Sequence, residues 1–181
     1  MLGLLQARPE VARLDSRLLE EFLRQRRLKF RRERDAEGDF FVVPFLVEDL
    51  GDRGPVLILG SYRLLPQGIL EIQYLVPHDY GEDEALRLAN EWNRDKRWPK
   101  ACIERPSQPG MTLELWTSNP RERVFEGPTS FFRLDWSAFL GERTLRESFY
   151  KVCDSVTQGV FLFVHEVLER TRPAVKGEVK A

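Results

Sequence analysis

The hydrophobic pattern of the chain changes period from segment to segment. In LDSRLLEEFLRQRRL, Leu18, Leu19, Phe22 and Leu23 recur at helical spacing and Asp15 stands where an N-cap belongs. A helix is therefore predicted over 16–27, its basic end at the C-terminus, where the helix dipole favours cations. KFRRERDAEGDFFVVPF reads as two strands around a turn at 36–38, with Gly38 supplying the turn. Pro44 either ends the second strand or places it at an edge, because proline cannot donate to a ladder. After a polar loop at 48–54, PVLILGSYRLL and GILEIQYLVP form two further strands joined near Pro66, Gln67 and Gly68. Leu70, Ile72 and Tyr74 alternate with Glu71, Gln73 and Leu75, which gives one apolar face, as in an antiparallel sheet buried on one side.

A second helix is predicted over 82–96, with Ala85, Leu88, Ala89 and Trp92 on one stripe and Leu86, Asn90 and Asn93 on the next. Pro99 cannot continue it and disfavours helical geometry at Trp98. KACIERP and MTLELWTS read as two strands around the turn SQPG, and NPRERVFEGP as a loop. TSFFRLDW fits either a strand or the run-up to a helix. The longest helix is predicted over 142–170, with Leu145, Phe149, Val152, Val156, Phe163 and Val167 on one face roughly 40 Å long. Gly159 interrupts that face. Residues 1–13 read as a flexible arm and 171–181 as a flexible tail, leaving one domain over 14–170. The order is helix, three or four strands, helix, two or three strands, long helix. This segregation predicts an α+β fold, an antiparallel sheet flanked by helices.

Composition narrows the function. The chain has 181 residues, 42% of them apolar and 12 of them Phe, enough for a core without disulfide or metal staples. Lys+Arg is 28 against Asp+Glu 29, so a general nucleic-acid coat is excluded and any basic site is local. The cations are mostly arginine, which GC-rich coding and a hot environment would both produce. Cys102 and Cys153 fit no zinc spacing and read as reduced thiols of a cytoplasmic protein. The N-terminus lacks a basic leader, and no apolar run is long enough to span a membrane.

Catalytic chemistry is thin. His78, expected in the loop before the second helix, and His165, within the long helix, read as structural. No serine sits in a nucleophile elbow, no glycine-rich phosphate loop is present, and the acidic stretches lack calcium-loop spacing. The expectation is a non-enzymatic protein with no cofactor and no metal. The strongest charge feature is RQRRLKFRRERD, with Arg24, Arg26, Arg27, Lys29, Arg31, Arg32 and Arg34 around Phe30. It reads either as a clasp between a helix end and a polar strand face, paired with nearby acids, or as a single-strand nucleic-acid grip through phosphates and stacking. Trp92, Trp98, Trp116, Trp136, Phe125, Phe131 and Phe132 crowd the second half. A long helix overhanging a sheet of short strands would expose an apolar strip, which predicts a homodimer through the second or the long helix.

The stretch LANEWNRDKRWPKACIE, followed by the alternating MTLELW, resembles the YbjN-like family of bacterial proteins: a helix bearing Asn-x-x-Asn leads through a basic-aromatic turn into a strand. The matching residues are Asn90, Asn93, Arg94, Arg97, Trp98 and Lys100, and the order of elements fits over roughly 14–170. Pro99 stands where the family often has glycine. The family looks like the type III secretion chaperone fold, helices on a strongly curved antiparallel sheet, commonly dimeric. The resemblance implies a chaperone-like, protein-binding adaptor or regulator, and family members carry a sensory transduction label. Asn90 and Asn93 are expected to hydrogen-bond the helix to the following strand, with Trp98 packed over the junction. Partner binding is expected at sheet edges or apolar grooves, with Phe40, Phe41, Phe45, Trp116 and Phe132 as contributors. The alternative is a nucleic-acid-associated protein using segment 24–34, together with a DNA-binding partner protein.

Overall fold

The computed structural model describes residues 10–48, 50, 55–96, 98–104 and 130–169. Helix α1 spans Ser16–Gln25, and the Asp15 carboxylate accepts from the backbone N–H of Arg17 (3.0 Å) and Leu18 (3.2 Å), the N-cap that the sequence announces. Its buried residues are Leu18, Leu19, Phe22 and Leu23. Strands β2 (Arg31–Asp35), β3 (Gly38–Val47), β4 (Val56–Leu65) and β5 (Ile69–His78) follow as an antiparallel meander. Helix α2 spans Glu82–Asp95, then come β6 (Lys100–Glu104), β7 (Ser130–Phe139) and helix α3 (Arg146–Phe163), which continues as a π-helical turn over Val164–Glu169. The six strands form one antiparallel sheet in the order β2-β3-β4-β5-β7-β6. This is the α+β arrangement expected.

Helices cover one face of that sheet. Phe41, Val43, Phe45, Ile58, Tyr62, Leu70, Ile72, Tyr74, Val76, Phe132 and Leu134 point to it and are buried with the apolar residues of α1, α2 and α3. A buried side chain of this size contributes roughly 1.5–3 kcal/mol. At the centre the Tyr62 and Tyr74 hydroxyls hydrogen-bond each other and both reach Thr157 Oγ1, at 3.0 and 2.8 Å. Thr157 itself donates to Cys153 O at 3.0 Å, which ties α3 to β4 and β5.

Several expectations change. Residues 11–13, read as part of an arm, form β1 (Val11–Arg13), paired antiparallel with β8 (Arg143–Leu145). The long helix accordingly begins at Arg146, since residues 143–145 serve as a strand. His78 lies at the end of β5 rather than in a loop, with its ring 4.3 Å from that of Phe132. TSFFRLDW resolves as strand β7. Pro44 lies inside β3, but β2 reaches only as far as Val42, so Pro44 stands on a locally open edge. Of the apolar strip expected to overhang, Phe149, Val156, Phe163 and Val167 are buried, Val152 is half-buried and Leu145 is 40% exposed. The strand expected over 111–118 and the tail lie outside the described residues.

Candidate functional site

The junction between α2 and β6 is held by side chains of the helix that imitate a neighbouring strand. Asn93 Nδ2 donates to Ala101 O at 2.7 Å, while Ala101 N–H donates to Asn93 Oδ1 at 2.8 Å. Trp92 Nε1 donates to Pro99 O at 2.8 Å, and its ring packs edge-on against Phe163 at 5.0 Å. Lys100 Nζ donates to Asn93 O and Lys96 O, both at 3.2 Å, satisfying carbonyls at the helix end. Lys96 in turn pairs with Glu166 beyond α3 at 3.2 Å. Asn93 therefore performs the helix-to-strand bonding expected of it, whereas Asn90 is exposed.

These bonds fix the orientation of the sheet edge. Because Ala101 gives both backbone groups to Asn93, it faces away from β7, and its partner Leu134 bonds toward β5. By alternation, Arg133 and Asp135 face β6, and so do Ser137 and Phe139. The pairing with β6 ends at Lys100 opposite Asp135, while β7 runs on to Phe139. Among the described residues, no strand lies beside 136–139 on that side.

Gly159 of α3 explains where the chain goes instead. A Cβ at Gly159 would lie 2.9 Å from Pro99 Cδ and 3.6 Å from Trp98 Cζ3. Immediately before Lys100 the chain is thus packed on α3 rather than paired with β7. A groove remains, lined by Trp98, Lys100, Trp136, Ser137, Asp135 and Glu71 among others. Trp98 is 44% exposed and Phe139 72%. Arg133 bounds the groove, donating from Nε to Asp135 and from a terminal nitrogen to Glu104, both at 2.9 Å. Burial opposes its charge, but the hydrogen bonds to Asp135 and Glu104 outweigh that, and its pKa lies above the usual guanidinium value. Burial pushes the neighbouring Cys102 thiol up.

Another stretch where a strand outruns its neighbour among the described residues is β3 beyond Val42, and Pro44 denies it a donor. The free edge of β2 carries only charged residues, RRERD, a common way to discourage pairing. The β7 stretch has neither protection.

A family model matches residues 15–122, from the N-cap of α1 through β6 and beyond. The chain belongs to the YbjN family. The family is described as "Putative bacterial sensory transduction regulator". No curated protein matches the chain in sequence. Strand β7 and helix α3, which complete the sheet and its cover, lie past the residues matched to YbjN. Among the described residues, no helix is long and apolar enough to cross a membrane.

Of the YbjN-motif residues, Asn93, Trp98 and Lys100 meet at the junction, Arg94 pairs with Asp95 at 3.0 Å on the surface, and Arg97 lies outside the described residues. The aromatic partner-binding set needs correction. Phe41, Phe45 and Phe132 are core residues, 0%, 9% and 0% exposed, and offer no surface to a partner. Phe40 is half-buried, with the Arg63 guanidinium 4.9 Å from its ring centre. Trp116 lies outside the described residues.

The basic segment is largely engaged at home. Arg24 pairs with Glu20, Arg26 bidentately with Asp154, Arg31 with Glu33, and Arg32 and Arg34 with Asp39. Phe30 packs edge-on against Phe41 at 5.6 Å. Only Arg27 and Lys29 of this set stand exposed with no ion pair among the described residues. Sequence reasoning missed Ser137 and Phe139, the residues that bear the open edge; the alternation of SFFRLDWSAF was the available signal.

Proposed function

We propose that this YbjN-family protein is a non-catalytic, chaperone-like regulator that captures an extended segment of a partner protein as an added strand beside Ser137 and Phe139 of β7. The observation that carries this reading is the end of the β6 pairing at Lys100, which leaves outward-facing backbone groups on β7 beside an exposed tryptophan. Strand addition takes its affinity from main-chain hydrogen bonds and its specificity from alternate side chains.

Ser137→Pro tests it. The Ser137 N–H faces away from β5, so proline removes the edge donor and leaves the inner ladder in place. In capture from native lysate, wild type is expected to hold a protein that Ser137→Pro loses, in nuclease-treated and untreated halves alike. Equal capture by both forms rejects the edge. Recovery that collapses with nuclease supports nucleic-acid association instead.

Homodimerisation belongs to the same reading. The surface assigned to it in this reading is the apolar part of the sheet face opposite the helices. There Val42, Pro44, Leu57 and Leu59 are half-buried and Leu46 is 59% exposed. Sedimentation of dilute protein is expected to show a dimer that Leu46→Lys dissociates; a monomer in both cases rejects it.

A further inference from the structure

Resting on the strand-addition reading above, we infer that the open edge of β7 selects a segment whose successive residues are apolar, apolar and basic. The register determines what each ligand residue meets. An added strand runs antiparallel to β7, so its first residue lies opposite Phe139, its second opposite Ala138 and its third opposite Ser137. The first and third then point to the face away from the helices, the second toward them.

Opposite Phe139 the ligand continues a row made by Leu65, Ile69 and Phe139, which are direct partners across β4, β5 and β7. That row is apolar and ends on a ring 72% exposed, so an apolar ligand residue removes the most water. The second residue points to the helix side, where the exposed Trp98 ring packs beside Gly159 of α3 and offers an apolar contact. The third lies opposite Ser137, whose own partner across β5 is Glu71. Two strand spacings, about 10 Å, separate that ligand position from Glu71. An arginine lying over the small Ser137 spans the gap. Glu71 is open to such a partner: its other neighbour, Arg63, turns its guanidinium to Asp35 and Glu37, and no cation of the described residues pairs with Glu71.

The experiment mixes the full-length protein with a capped heptapeptide centred on valine, valine and arginine, and with a twin carrying glutamate for arginine. Tryptophan fluorescence reads affinity and amide hydrogen exchange reads the edge. The arginine peptide is expected to bind about five-fold more tightly at low ionic strength, to slow exchange at the Ser137 and Phe139 amides, and to lose its advantage over the twin in Glu71→Gln. Equal affinity for the two peptides, with those amides still protected, overturns the charge preference and leaves strand addition standing. No protection of Ser137 and Phe139 by either peptide overturns both.

Discussion

Asn93 grips Ala101 by both backbone groups at once, giving one hydrogen bond and taking one through a single side-chain amide. Asn93→Ala strands both groups at a residue only 5% exposed, and we expect a loss of about 2–3 kcal/mol in denaturant unfolding. Asn93→Asp should not rescue it at neutral pH, because a carboxylate can accept from Ala101 N–H but faces Ala101 O with no proton to give. Stability near wild type in either variant would show that the amide is dispensable.

Gly159→Ala reverses the usual sign of helix propensity. In an open helix the change stabilises by about 1 kcal/mol. Here the new methyl meets the buried Pro99 ring at 2.9 Å, and overpacking of this kind costs roughly 1–3 kcal/mol. Net destabilisation by chemical denaturation is expected, and a gain in stability would contradict the contact.

The hydroxyl triangle of Tyr62, Tyr74 and Thr157 shares its partners, so its losses should not add. Tyr62→Phe and Tyr74→Phe are each expected to cost about 1 kcal/mol, and the double variant less than the sum. Burial pushes Tyr62 up to about 12, and unfolded tyrosine ionises near ~10. The neutral form is thus favoured in the folded state. Its contribution is whole below the unfolded pKa and is lost as pH rises from there through the folded value. Alkaline unfolding monitored by tyrosinate absorbance should show this loss, and Tyr62→Phe should weaken it.

Arg26 separates the two roles considered for the basic segment. Its guanidinium grips Asp154 of α3 through two hydrogen bonds, at 2.9 and 2.5 Å. Arg26→Ala should therefore cost up to about 1 kcal/mol of stability, while Arg27→Ala and Lys29→Ala leave unfolding unchanged. A nucleic-acid surface would instead show salt-dependent binding weakened by all three, measurable by fluorescence anisotropy with labelled single strands.

Asp39 reports the pairing at the β2–β3 hairpin. Its hydrogen bond to Arg32 holds its carboxyl below the usual carboxylate value. A depressed folded pKa stabilises above the unfolded value and loses that contribution as pH falls through the folded one. Carbon-detected NMR titration should show the Asp39 midpoint rising in Arg32→Ala; an unmoved midpoint would exclude the pair.

The elements were legible where one face is buried and the other wet: α1, β5 and α2 bury the residues their periodicity picks out. The pattern could not say which aromatic residues of a strand meet helices and which meet solvent, so Phe41, Phe45 and Phe132 read as candidates for a surface they do not reach. TSFFRLDW stayed ambiguous because a short apolar run fits either period. Asn93 was legible because a helix end next to a strand leaves backbone groups for an amide to satisfy. The open edge was not, because it depends on where β6 stops. That is set by the approach of Pro99 to Gly159, a contact between distant parts of the chain that no local pattern encodes.

Asn93 also limits how far this sheet can grow. A side-chain amide seated on β6 occupies the place where another molecule's strand would have to bond, so stacking of sheets along that border is closed at Ala101. Among the described residues, what stays open on β7 is a berth for a few residues. Such a berth is too short to seed a fibre.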